Sequence, residues 1–218
     1  MIARFNVNYE TSWRAIAHDL RHGNENPALK SGSVLYDQLS NGWTVGFQVC
    51  RDANRKVFFI AKELLPSEHQ MNDRDTNEGG WRDSEMRRYL NEDIFPMLSD
   101  DLRSVITPTR IVQVLDGTRI ETEDMLFIPS RTQLFGRGDY SEAEPDDTVL
   151  DVFSCRMDSV KSRNGSPAWY WLRSPHLGGT TNFMSVNSIG SLYYHYGASH
   201  VNGVCPGFSI EQGEELFV

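Results

Sequence analysis

The chain has 218 residues, long enough to bury a core with about 70% of its unfolded surface and to form one large domain. Hydrophobic residues make up 39% and charged residues 23%, which excludes disordered, collagen-like and membrane-spanning compositions. The formal charge of -9, from 21 basic and 30 acidic residues, argues against a sequence-independent grip on nucleic acid or anionic lipid.

Met1 to Asn8 holds one Arg and no long apolar run, so we expect no signal peptide and synthesis in the cytoplasm. Thr11 or Ser12 can cap a helix with Trp13, Ile16, Ala17 and Leu20 on one face and Gly23 at its end. His18 and His22 have metal-compatible spacing there but lack a third ligand, so they read as a polar face. Ser33 to Leu39, Trp43 to Val49 and Lys56 to Lys62 predict a three-stranded meander, with Asn41-Gly42 as its first turn. Residues 1–65 then form a helix and meander packing on the rest of a single domain.

Asp73, Asp75 and Asn77 match the first three ligand positions of a calcium loop, but Glu78 stands where Gly is needed and Ser84 where Glu is needed. A polar loop fits better, leading to a helix capped by Asp83 or Ser84. Met86, Leu90 and Ile94 fall on one face of that helix, which Pro96 closes or kinks. Ser99 caps a second helix carrying Leu102, Val105 and Ile106. Asp116-Gly117 marks a second hairpin, and Glu142, Glu144, Asp146 and Asp147 gather around Pro145 in an expected exposed loop.

From Ser174 to Ile210 no Asp, Glu, Lys or Arg occurs in 37 residues. At the average composition such a stretch has a chance on the order of 1 in 10,000. It follows the aromatic strand Trp169-Tyr170-Trp171 and contains Tyr193-Tyr194-His195-Tyr196. Four consecutive rings cannot all face inward on a strand, because neighbours alternate between faces. Tyr, Ser, Gly, Asn and His without charge is the composition of a binding surface: rigid rings supply contact area and small polar groups supply adaptable hydrogen bonds. The competing reading is a β-rich core with tight turns, plugged by tyrosines. No nucleophile elbow, phosphate-binding glycine loop or zinc motif is present, and Cys50, Cys155 and Cys205 are widely separated. The residues therefore name no catalytic group, no metal and no cofactor.

Trp171-Leu172-Arg173-Ser174-Pro175, Phe183, Val186-Asn187-Ser188, Gly190 and Gly203-Val204 to Pro206-Gly207-Phe208 resemble the C-terminal part of the variable proteins of diversity-generating retroelements. Upstream, Met71-Asn72, Thr76-Asn77, Gly79-Gly80-Trp81 and Ser84 to Asn91 are similar to bacterial and phage proteins that carry this framework. The resemblance implies an α+β, C-type-lectin-like fold of the formylglycine-generating-enzyme type: a twisted antiparallel sheet with peripheral helices and much irregular loop. It implies a non-enzymatic protein whose segment 169–210 is diversified by adenine-directed mutagenesis to bind a protein or glycan ligand. By position between framework residues, the variable positions would be His176, Leu177, Thr180, Thr181, Ser185, Ile189, Tyr193, Tyr194, His195, Tyr196 and His200. Trp169, Trp171, Arg173, Phe183, Val186 and Phe208 would be scaffold, with Arg173 and Pro175 fixing the turn. Met184 departs from the pattern, since Met does not arise from an Asn codon. The alternatives are a formylglycine-generating-type oxidase, which needs a pair of reactive cysteines close together, and an undiversified phage or bacterial adhesion component. Partners are then a protein or glycan, with no nucleic acid and no membrane insertion; the place of action would be a phage particle or a cell surface reached by a non-classical route. The oligomeric state stays open.

Overall fold

A computed structural model describes residues 3–4, 10–138 and 144–213. Strands β1 (Ala3–Arg4) and β2 (Glu10–Thr11) pair antiparallel and lead into helix α1 (Trp13–His22). The Ser12 hydroxyl accepts from the Ala15 amide at 3.1 Å, and Gly23 ends the helix at φ 65°. The buried stripe is Trp13, Ile16, Ala17 and Leu20, as the helical period predicts. His18 and His22 lie on the exposed face, with rings stacked at 4.2 Å.

The meander forms as β3 (Val34–Gln38), β4 (Thr44–Arg51) and β5 (Val57–Ala61). Its first turn differs from a two-residue Asn-Gly loop. Gly42 has positive φ but Asn41 does not, and the Asn41 side chain instead accepts from the Trp43 amide at 3.1 Å. Next come β6 (Glu68–His69) and α2 (Glu85–Arg88), capped by Ser84 and continued as a π-helical stretch to Ile94 and a tight turn through Pro96. The second helix, α3 (Asp100–Arg103), is shorter than predicted. Ser99 does cap it, but its hydroxyl and amide are also bound by the buried Asp37 carboxylate at 2.5 and 2.9 Å. Ile106 leaves the helix for β7 (Ile106–Thr107), where it pairs with Ile210. Tertiary pairing outweighs local helical period there.

The hairpin of β8 (Thr109–Leu115) and β9 (Thr118–Asp124) turns at Asp116 (φ 49°) and Gly117 (φ 75°), the two-residue turn that the sequence signals. After α4 (Arg131–Phe135) follow β10 (Lys161–Arg163), β11 (Ser166–Ala168), β12 (Tyr170–Pro175), β13 (Asn182–Val186), β14 (Leu192–Gly197), β15 (Asn202–Gly203) and β16 (Gly207–Ile210).

Two five-stranded sheets organise the chain, in the orders β3-β4-β5-β16-β7 and β14-β13-β12-β15-β6. The C-terminal strand β16 lies between β5 and β7, so residues 1–65 are built into a sheet with the far end of the chain. Trp13 packs its ring edge-on against Phe47, Phe59 and Phe208 at centroid distances of 5.6 to 6.3 Å, fixing α1 on that sheet. Phe59 and Phe208 stack at 5.0 Å. One cluster of buried apolar side chains, from Trp13 to Ile210, includes residues of both sheets. Gly203 is needed where the strands close up, since a Cβ there would stand 2.5 Å from the Trp169 carbonyl oxygen.

Candidate functional site

The second sheet carries most of the uncharged segment, whose last strand, β16, lies in the first sheet. In β13 and β14, Phe183 pairs with Tyr196 and Ser185 with Tyr193, so three steps on β14 oppose two on β13. This bulge absorbs one residue within Tyr194-His195 and brings Tyr193 and Tyr196 to the same side. Both rings meet the half-buried Trp169, at 5.0 and 5.8 Å. Tyr196 also touches Trp171 at 5.5 Å and His200 at 4.9 Å. At the bulge, Tyr194 and His195 lie 4.3 Å apart, and His176 stacks on Tyr194 at 5.2 Å. His195 and His200 are exposed and the three tyrosines half-buried, so the run forms one continuous aromatic surface. Burial, with His195 nearby, pushes the His176 pKa down.

Most of the predicted positions reach this surface. Leu177, Thr180, Thr181, His195 and His200 are exposed, and His176 is largely covered. Ile189 is 57% exposed but sits in the β13–β14 turn, at the opposite end of β13 from the 176–181 loop. Ser185 must be corrected: it is fully buried, paired in register with Trp171 on one side and Tyr193 on the other. It is a small floor residue beneath rings, inaccessible to a ligand. Among the scaffold positions Trp171, Arg173, Phe183, Val186 and Phe208 are buried, whereas Trp169 shares the aromatic face. Val201, 56% exposed beside His200, belongs to the same rim and carries no signal in the sequence beyond its place in the uncharged run. About half of that run is buried, so packing accounts for part of its lack of charge.

The backbone of the face is held from outside it. Asn77 donates its side-chain amide to the carbonyls of His176, Gly179 and Asn182 at 3.1, 2.8 and 3.0 Å, and its backbone amide to Thr180. The Asp75 carboxylate accepts from the amide and hydroxyl of Ser199 at 3.0 and 2.7 Å, which lowers its pKa. The amides of Met71 and Asn72 donate to the Ala198 carbonyl. At the other end, Asn187 accepts from the amides of Ile189 and Ser191. The loop with calcium-like spacing is thus a bracket for residues 176–182 and 197–199. Its role was hidden because these contacts span about a hundred residues of sequence.

Beneath β12 the acidic segment also departs from expectation. Glu144 is wholly buried, Asp147 pairs with the buried Arg173, and only Asp146 makes surface pairs, with Arg110 and Arg119; Glu142 lies outside the described residues. Arg173 further donates to the carbonyl of Ile128 at 2.7 Å and to Gln133 at 2.9 Å, and lies over the Phe127 ring. This guanidinium, anchored from several elements, draws the segment inward. Gln113 donates to Glu144 at 3.3 Å and to the Arg173 carbonyl at 3.1 Å. Burial pushes the Glu144 pKa up to about 7 despite the opposing pull of Arg173.

Among the described residues no cluster of three or more His, Cys, Asp or Glu could hold a metal, and no helix is long and apolar enough to cross a membrane. Cys50 and Cys205 are buried and Cys155 is exposed. Burial raises the Cys50 thiol to about 12 and the Cys205 thiol also upward, away from the reactive thiolate.

Fold and site together define an α+β protein, rich in strands, whose C-terminal sheet presents an uncharged aromatic face on an externally bracketed backbone. Residues 55–212 match the family described as Domain of unknown function (DUF6273), and the chain belongs to that family. No curated protein and no solved structure gives a significant match.

Proposed function

We propose that the protein is a non-enzymatic ligand-binding protein with a C-type-lectin-like fold, whose C-terminal surface is diversified by a retroelement. The observation that carries this reading is the bracketing of the face. Asn77, Asp75, Asn72 and Asn187, none of them a diversified candidate, satisfy backbone groups of the loops that present Leu177, Thr180, Thr181, Ile189 and His200. Side chains can change where the backbone does not depend on them. The aromatic rings supply rigid contact area at low entropic cost, on a segment that itself carries no charged side chain to be desolvated.

The formylglycine-generating-type oxidase is less well supported, because it asks for two reactive thiols side by side. Cys50 and Cys205 are near enough to feel each other's charge, but both are buried and burial holds both as thiols rather than reactive thiolates, while Cys155 is exposed. The neighbouring DNA tests the diversification: we expect a reverse transcriptase gene and a near-copy of the segment coding for Trp171 to Phe208, differing mainly at adenines. A locus with neither would overturn it and leave an undiversified adhesion component.

A further inference from the structure

We propose that the cleft beside the aromatic face receives the long basic side chain, Arg or Lys, of a protein ligand. This rests on the ligand-binding reading and adds the partner's chemistry to it. The cleft has a volume of about 560 Å³ and lies between loop 76–79, the β8–β9 turn at Leu115 and Asp116, and loop 175–180. That volume falls in the range of about 300–1,000 Å³ usual for ligand pockets.

Its wall has two parts. Leu115, Pro175 and Leu177 are apolar, and Leu177 is 42% exposed, a large side chain left open to solvent at the edge. Glu78 and Asp116 are exposed carboxylates, and among the described residues neither forms an ion pair, although Arg82, Arg110 and Arg119 are paired elsewhere. No Lys or Arg lines the cleft. Asn77 has its amide hydrogens committed to three loop carbonyls, so it offers no donor to a ligand. The site therefore presents acceptors and an apolar surface but no fixed positive charge.

A basic side chain matches both parts. Its methylene stem covers the leucines and proline while its head reaches the carboxylates, where a guanidinium can bond in bidentate fashion. A neutral glycan can donate its hydroxyls to the two carboxylates but brings no positive charge to neutralise them. The chain's net charge of -9 also favours the approach of a basic partner. Glu78 and Asp116 lie outside residues 169–210, so this preference persists while Leu177 and Thr180 change.

The test is an NMR titration of the ¹⁵N-labelled full chain with N-acetyl-arginine methylamide and the lysine equivalent, against norleucine and glutamate equivalents. We expect amide shifts confined to residues 76–79, 115–117 and 176–180 with the two basic probes, saturating in the millimolar range. The Glu78→Gln, Asp116→Asn double variant, altered only at exposed positions, should weaken binding about tenfold, a loss of about 1.4 kcal/mol. Equal shifts with norleucine, or unchanged binding in the double variant, would overturn the proposal. Absence of shifts beside an intact retroelement locus sinks the cleft alone; shifts without such a locus sink only the diversification.

Discussion

Replacing Glu144 by Gln should make the protein more stable at pH 8 and much less so at pH 5. Glu144 is fully buried; one of its oxygens accepts a long hydrogen bond from Gln113 and the Ser174 hydroxyl also favours its charged form, but among the described residues Oε2 has no partner at hydrogen-bond distance. Arg173 is already engaged by Asp147, so one guanidinium faces two carboxylates. Burial raises the Glu144 pKa from 4.5 to about 7. A raised carboxyl pKa means that the folded state binds more protons than the unfolded state between those values, so stability falls as pH rises from 4.5 to 7. At about 1.4 kcal/mol per pKa unit, the ionised side chain costs about 3 kcal/mol above pH 7 and nothing below pH 4.5. Gln keeps the shape and the Gln113 contact without the charge. The melting temperature of the variant should exceed wild type by about 8 °C at pH 8, with a difference of about 2 °C at pH 5. Circular dichroism melts of both proteins at the two pH values measure this, and the other titrating groups cancel in the difference. A gap independent of pH, or a variant weaker at pH 8, would refute the assignment of Glu144 as a buried, uncompensated carboxyl.

Asn77→Ala removes three hydrogen bonds to loop carbonyls and should cost about 2–3 kcal/mol, with hydrogen exchange accelerating at residues 176–182 before the rest of the sheet; unchanged exchange there would deny the bracket. Gly203→Ala puts a methyl group 2.5 Å from the Trp169 carbonyl and Leu64, so a loss of about 1–3 kcal/mol is expected in denaturant unfolding, whereas a neutral result would mean that β12 and β15 are free to separate.

The parts of the fold that are local in sequence were readable there. Ser12 and Gly23 mark the ends of α1, and Asp116-Gly117 accepts the positive φ of both turn positions. Long-range choices were not. Ile106 reads as helical until β16 is available to pair with it, and β16 arrives from a hundred residues downstream. The acidic loop reads as exposed because the burial of Glu144 depends on Arg173 and Gln113, which no local pattern connects to it. The tyrosine run was legible as a surface through strand alternation, yet the bulge that aligns Tyr193 with Tyr196 was not, and Ser185 could not be told from its exposed neighbours.

The independence of backbone and display side chains is open to one direct measurement. A library varying Leu177, Thr180, Thr181, His195 and His200 together, sorted for resistance to protease, should retain the majority of its members with melting temperatures within about 3 °C of wild type, because the loops are held by Asn77 and Asp75. A matched library at Phe183 and Val186, both fully buried, should lose nearly all of its members. If the first library collapses as the second does, the exposed side chains are holding their own backbone and the face is not built for display.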